Sequence, residues 1–190
     1  MKYYVLFGPP GAGKGTQAGA MVARYHLCHL STGELLRSEI AAGTPLGMQA
    51  KALIESGSLV PDQVVEGMIE SRISNPQGVE GFLLDGFPRT IAQAQVLDQM
   101  LEKRGESVTA CVSIMIPDDT IHERIAHRAQ IEGRADDARK EVVENRIQTY
   151  HAKTEPLIQY YRQKGKYEEI DGIGTVEEVQ ARIFALMDKH

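Results

Sequence analysis

The chain has 190 residues, of which 42% are hydrophobic and 25% charged, with a formal net charge of −5 and a pI near 5.7. That length suits one domain able to bury a core without covalent staples. The acidic balance argues against a nucleic-acid-binding surface, and no apolar run reaches the ~18 residues a membrane-spanning helix needs.

Tyr3–Phe7 reads as a short buried strand, followed by a glycine-rich turn, Gly8–Gly15, and a helix from Lys14 to about Arg24. The opening lacks a basic region, a long apolar stretch and a small-residue cleavage site, so it does not read as a signal peptide and a cytoplasmic location is expected. A short strand is predicted around Cys28–Leu30. Ser31-Thr32-Gly33-Glu34 has the capping-box form and introduces a helix over about Gly33–Ala42. Further helices are predicted at Leu46–Glu55 and Asp62–Ser74, punctuated by Pro45 and Pro61. Gly81–Asp85 reads as a buried strand ending at an acid, and Ile91–Lys103 as a helix. Val108–Ile116 is a β-favouring run closed by Pro117, and Asp118 or Asp119 caps a helix to about Gln130. After a polar segment, Ile131–Asp137, a long helix is predicted from about Arg139 to Lys164, bent at Pro156. Tyr167–Ile170 is the last strand and Thr175–Asp188 the last helix.

Strands alternate with helices, and the strands are apolar throughout rather than at every second position. That pattern predicts an α/β fold: a five-stranded parallel sheet with helices on both faces. In such sheets ligands bind outside the carboxyl ends of the strands. Cys28 and Cys111 sit in apolar runs and read as reduced core residues, too few for a disulfide framework or a four-ligand zinc site.

The strongest chemical signal is Gly8-Pro9-Pro10-Gly11-Ala12-Gly13-Lys14-Gly15-Thr16. Binding a phosphate this way needs glycines that let successive N–H groups turn toward an anion, a helix N-terminus behind them, and a lysine for the terminal phosphates. All three occur in strand–loop–helix order. Gly15 fills the position where a serine or threonine usually supplies a direct Mg²⁺ ligand, and Thr16 comes one residue later. The metal is therefore expected to take no protein ligand and to be held by phosphates and water. Asp85, ending an apolar strand nearby, is a natural partner for that water.

Three further segments sharpen the reading. Gly8–Thr16, Ser31-Thr32-Gly33-Glu34-Leu35-Leu36-Arg37 and Asp85-Gly86-Phe87-Pro88-Arg89-Thr90 together closely resemble the adenylate kinases, of the nucleoside monophosphate kinase fold. The resemblance continues through Gly133-Arg134-Ala135-Asp136-Asp137 to the last helix. It implies an AMP site at Thr32, Arg37, Ser58, Leu59, Val60, Gly86, Phe87, Pro88, Arg89 and Gln93. It implies an ATP site at Gly11, Ala12, Gly13, Lys14, Gly15, Thr16, Arg128 and Gly174. Lys14, Arg89, Arg128, Arg134 and Arg146 are implied to be catalytic, with Arg134 and Arg146 gathered at the transferring phosphates. It also implies an AMP-closing insertion at about 31–60, a short lid without zinc at about 127–137, a cis Phe87–Pro88 bond and a monomer. Glu34 stands where the family usually has Asp, an acid thought to help hold the water shell of Mg²⁺.

The charges agree with that implication. ATP and AMP together carry about six negative charges, and Lys14, Arg37, Arg89, Arg128, Arg134 and Arg146 would answer them. Arginine suits the task because its planar fork grips phosphate oxygens in pairs. The expected reaction is ATP + AMP ⇌ 2 ADP. A UMP/CMP kinase is the nearest rival; such enzymes usually have Ala at the position of Thr32 and Asn at that of Thr90, so Thr32 and Gln93 favour adenine. A nucleotide-binding regulator without turnover is the second rival, and it would not require so complete a set of arginines.

Overall fold

The computed structural model describes residues 1–58 and 60–190, with the side chain of Asp136 also outside the description. Leu59, one of the residues implied for the AMP site, thus lies outside the described residues. Five strands form one parallel sheet: β1 (Lys2–Phe7), β2 (Leu27–Ser31), β3 (Gly81–Asp85), β4 (Ala110–Met115) and β5 (Tyr167–Asp171), in the spatial order β2-β3-β1-β4-β5. Helices connect them: α1 (Lys14–Tyr25), α2 (Thr32–Ala41), α3 (Pro45–Ser56), α4 (Asp62–Ser74), α5 (Ile91–Glu102), α6 (Asp118–Glu132), α7 (Lys140–Thr149), α8 (Leu157–Gln163) and α9 (Val176–Met187).

Residues 3–7 of β1 and 82–84 of β3 are apolar at consecutive positions because both faces of these strands are covered. The expectation of strands apolar throughout fails at the sheet edges, where β2 carries His29 and Ser31 and β5 carries Glu168, Glu169 and Asp171. Alternate residues of β1 feed two separate cores: Tyr3, Val5 and Phe7 join Phe82, Leu84 and Leu97 on one side. Tyr4 and Leu6 join Leu83, Val112, Ile114 and Ile183 on the other. Cys111 is buried in the first core and its thiol is pushed well up by burial, while Cys28 is half-buried; both are free thiols.

Register places the chemistry. Leu6 pairs with Asp85, and Asp85 with Ser31, so β1, β3 and β2 end level with one another. The glycine-rich loop, the Ser31-Thr32 junction and the Asp85-Gly86 junction therefore leave the sheet at one edge. The chain leaves β1 toward one side of the sheet and later crosses from β3 over β1 to β4, which opens a crevice at that edge.

The long helix predicted after Arg139 is interrupted. Tyr150–Thr154 forms a π-helical turn in which the Glu155 N–H donates to the Tyr150 carbonyl at 2.7 Å. Pro156 lacks an N–H, and its ring would collide with the carbonyl four residues earlier. Widening the turn removes that conflict and explains why the irregularity lies before the proline. Helix α6 runs two residues past its predicted end, to Glu132, where Gly133 closes it in the left-handed conformation. Ser31 caps α2 through the Glu34 N–H (3.4 Å), but a complete capping box forms at Thr175 and Glu178, ahead of α9.

Candidate active site

Two cavities meet at the carboxyl edge of the sheet. The first is lined by Thr32, Arg37, Ser58, Val60, Gly86, Pro88, Arg89, Gln93 and Arg146, with Leu36, Ile54 and Val65 as apolar walls. The second is lined by Gly11 through Thr16, Glu34, Asp85, Arg128, Arg134 and Gly174. Lys14, Arg37, Arg89 and Arg146 line both. The predicted residues therefore fall into two groups with a common cationic wall. Arg134 reaches the second cavity only, paired with Glu132 at 2.7 Å. Phe87 packs into the core beside them, 1% exposed.

The loop between β1 and α1 is built by glycine. Gly13 caps α1 with φ +91°, a conformation side-chain-bearing residues rarely adopt. The first bond into the helix runs from the Gln17 N–H to the Gly13 carbonyl, leaving the amides of Lys14–Thr16 to an outside acceptor at the positive end of α1. The Lys14 ammonium donates to the carbonyls of Gly8 (3.0 Å) and Pro9 (3.1 Å). Burial pushes its pKa down to about 8; Arg89, Arg146 and Arg128 push the same way and Asp85 opposes. Arg89 is likewise pushed down to about 10, mainly by burial and then by Arg146, and stays charged at neutral pH. Cations held together in this way are stabilised by any anion that enters between them.

Asp85 is 9% exposed and accepts from His29, Nε2 to Oδ2, at 3.1 Å. Burial alone would raise its pKa, but the His29 hydrogen bond and the charges of Lys14, His29 and Arg89 more than reverse this and hold the carboxylate ionised. Gly86 follows with φ +86°; a Cβ there would lie 2.7 Å from the Thr32 hydroxyl oxygen and 3.0 Å from an Arg89 nitrogen. Gly86→Ala is therefore expected to displace both side chains and raise the KM of the nucleotide in the first cavity more than that of its partner, measurable by steady-state kinetics. The Phe87–Pro88 bond is cis.

Sequence reasoning missed several residues. Asp137, its side chain fully buried on a 3₁₀ turn at Ala135–Asp137, accepts from Arg128 Nε at 2.6 Å and from Arg146 Nη1, and so aims two of the expected phosphate-binding arginines. Burial acts to raise its pKa, and the Arg128 bond with the charges of Arg146, Arg128 and Arg134 brings it down. Arg128 Nη2 is buried with no hydrogen-bond partner among the described residues, and an anion in the second cavity would satisfy it. Arg124 donates to the Ala12 carbonyl (3.3 Å) and the Gly172 carbonyl (2.8 Å), tying the glycine loop to the loop after β5. Tyr150, on the π-helical turn, lines the first cavity with a hydroxyl that has no hydrogen-bond partner among the described residues.

A family model described as adenylate kinase matches residues 6–166 of the chain. Among curated proteins, the adenylate kinase of Xylella fastidiosa (strain 9a5c) is 50% identical over 179 residues, covering 94% of this chain and 95% of that protein. The adenylate kinase of Stenotrophomonas maltophilia (strain K279a) is 46% identical over 181 residues, covering 95% and 96%. That of Xanthomonas campestris pv. campestris (strain 8004) is 46% identical over 179 residues, covering 94% and 95%. With a family model over residues 6–166 and relatives 46–50% identical over 94–95% of the chain, the chain belongs to the adenylate kinase family of phosphotransferases.

Proposed function

We propose that the chain catalyses ATP + AMP ⇌ 2 ADP, with AMP in the first cavity and ATP with Mg²⁺ in the second. The observation that carries this reading is the wall common to the two cavities, Lys14, Arg37, Arg89 and Arg146. Two nucleotides bound base-outward would bring their phosphates together only there. The first cavity also has the mixed lining a nucleoside monophosphate needs, with Arg37, Arg89 and Arg146 for the phosphate and Leu36, Ile54, Val60 and Val65 as apolar walls.

The chemistry asks little of the protein beyond placement and charge. A phosphate oxygen of AMP attacks the γ-phosphorus of ATP in line; that O–P bond forms as the bond from the γ-phosphorus to the β-phosphate oxygen breaks, so two ADP result. Lys14 and the arginines hold donor and acceptor together and balance the charge on the moving group, and no covalent enzyme intermediate arises. Residues at about 31–60, which include α2 and α3, would close over AMP, and those at about 127–137 over ATP. Closure would exclude water and so suppress hydrolysis. The family resemblance extends the reading to a monomer in the cytoplasm.

Mg²⁺ fits the residues present. Gly15 offers no hydroxyl, and the acids lining the second cavity, Glu34, Asp85, Glu123 and Glu132, form no cluster able to hold a metal ion among the described residues, so phosphates and water would supply the six oxygens the ion prefers. When bound with ATP the ion neutralises phosphate charge; Asp85 and Glu34 would accept hydrogen bonds from its waters.

Turnover with AMP, compared with UMP, CMP and no acceptor, tests the reading. Efficient turnover with AMP alone is expected; preference for UMP or CMP, or nucleotide binding without turnover, would overturn it. Within the acceptor site, Gln93→Ala is expected to raise the KM for AMP well above any change in that for ATP, since a lost buried hydrogen bond costs about 1–3 kcal/mol. Equal changes in both constants would reject its place in the AMP site.

A further inference from the structure

Gln93 is 2% exposed, and both ends of its side-chain amide are engaged. Its Oε1 accepts from the backbone N–H of Arg89 at 2.7 Å, and its Nε2 donates to Oδ1 of Asp62, the first residue of α4, at 2.7 Å. A carboxylate can only accept and a backbone N–H can only donate. The opposite orientation of the amide would set Oε1 against the Asp62 carboxylate and NH₂ against the Arg89 N–H, two repulsive contacts in place of two bonds. Asp62 and Arg89 together therefore permit one direction of the amide.

An amide so held has one N–H and one lone pair left, in a fixed order. Gln93 lines the first cavity next to Thr32 and the apolar walls. The 6-amino group and ring N1 of adenine are a donor beside an acceptor, and they match that order. A 6-oxopurine presents an acceptor at O6 and a donor at N1, and it needs the reverse. Turning the base over would not help, because its phosphate is drawn to Arg37 and Arg89 in the lining, which fixes which way round the nucleotide lies.

From this geometry we infer that Asp62 is a positioning residue for base selection: by fixing the direction of the Gln93 amide, it makes the acceptor cavity choose 6-aminopurine over 6-oxopurine nucleotides. The inference rests on the reading of that cavity as the AMP site. With asparagine at position 62, which can donate as well as accept, only the Arg89 N–H would still oppose the turned amide, so turning would cost one contact instead of two.

The test compares kcat/KM for AMP and for IMP, with ATP as donor, in the wild type, Asp62→Asn, Asp62→Ala and Asp62→Glu. The wild type is expected to favour AMP strongly. Asp62→Asn and Asp62→Ala should each reduce the AMP-to-IMP ratio by about tenfold or more, the worth of a single buried hydrogen bond, with the KM for ATP little changed. Asp62→Glu, still acceptor-only, should retain most of the discrimination. A ratio unchanged in both Asp62→Asn and Asp62→Ala would overturn the inference, even with a lowered melting temperature, because a purely structural aspartate moves stability and not the ratio. A wild type that uses AMP and IMP equally would overturn it as well. A wild type that phosphorylates neither would instead defeat the proposed function itself.

Discussion

Replacing Lys14 with methionine is expected to leave the fold intact and to lower kcat by about 10²–10³-fold, the effect of removing one preorganised charge from a transition state. The side chain lines both cavities, and its ammonium lies against the Gly8 and Pro9 carbonyls at the mouth of α1. Methionine keeps an unbranched stem of similar reach and removes the charge together with the two hydrogen bonds the ammonium donates. Because burial holds the lysine pKa at about 8, below the usual 10.5, the folded protein carries the charged form at a cost that the unfolded chain does not. That cost is fully present below pH 8 and fades as pH rises toward 10.5. Lys14→Met should therefore be at least as stable as the wild type at neutral pH, with its advantage shrinking in alkaline solution. In the wild type kcat/KM should fall above pH 8 as the free enzyme loses this proton, and the variant should lack that limb. A variant with activity within about threefold of the wild type would remove Lys14 from the chemistry.

The parts of this architecture that sequence could reveal are those written in neighbouring residues. β1 is legible because five consecutive residues, Tyr3 to Phe7, are apolar, and only a strand buried on both faces tolerates that in a chain this polar. The glycine loop is legible because the turn needs positive φ at Gly11 and Gly13, and no other residue type supplies it so readily. The ends of α3 and α6 are marked in the same way by Gly57 and Gly133.

What the sequence hid is the pairing of distant groups. His29 and Asp85 meet across two strands, 56 residues apart, and no local pattern distinguishes His29 from a surface histidine at the end of a strand. Asp62 and Gln93 are 31 residues apart, and each alone resembles an ordinary polar helix residue. Asp137 sits only nine residues from both Arg128 and Arg146. Its burial, however, depends on α6 and α7 folding back on each other, which periodicity does not announce. The π-helical turn at Tyr150–Thr154 is intermediate: Pro156 signals a disturbance, but the choice between a kink and a widened turn is made by packing. The residues of such long-range pairs hold the arginines, the amide and the carboxylate in place, while the loop motif identifies only where phosphate would bind.

Asp85→Asn is expected to raise the Mg²⁺ concentration needed for half-maximal activity by about 10–100-fold, the usual worth of a partner acting through a metal's outer shell. The carboxylate is buried, ends β3 level with the glycine loop, and is kept ionised by His29, Lys14 and Arg89. An ionised acid at such a site accepts hydrogen bonds from metal-bound water better than a neutral amide does. The substitution is nearly isosteric, and an asparagine oxygen can still accept from His29, so the strand should keep its place. Removing a negative charge beside Lys14 and Arg89 should leave metal-free nucleotide binding unchanged or slightly tighter, which separates loss of the water contact from damage to the nucleotide site. Isothermal titration of the nucleotide without Mg²⁺, set beside a Mg²⁺ titration of activity, measures both. An unchanged Mg²⁺ titration would remove Asp85 from the metal's surroundings. A crystal of the nucleotide complex with a metal–oxygen distance of about 2.1 Å to Asp85 or Thr16 would replace the water-mediated arrangement with a direct one.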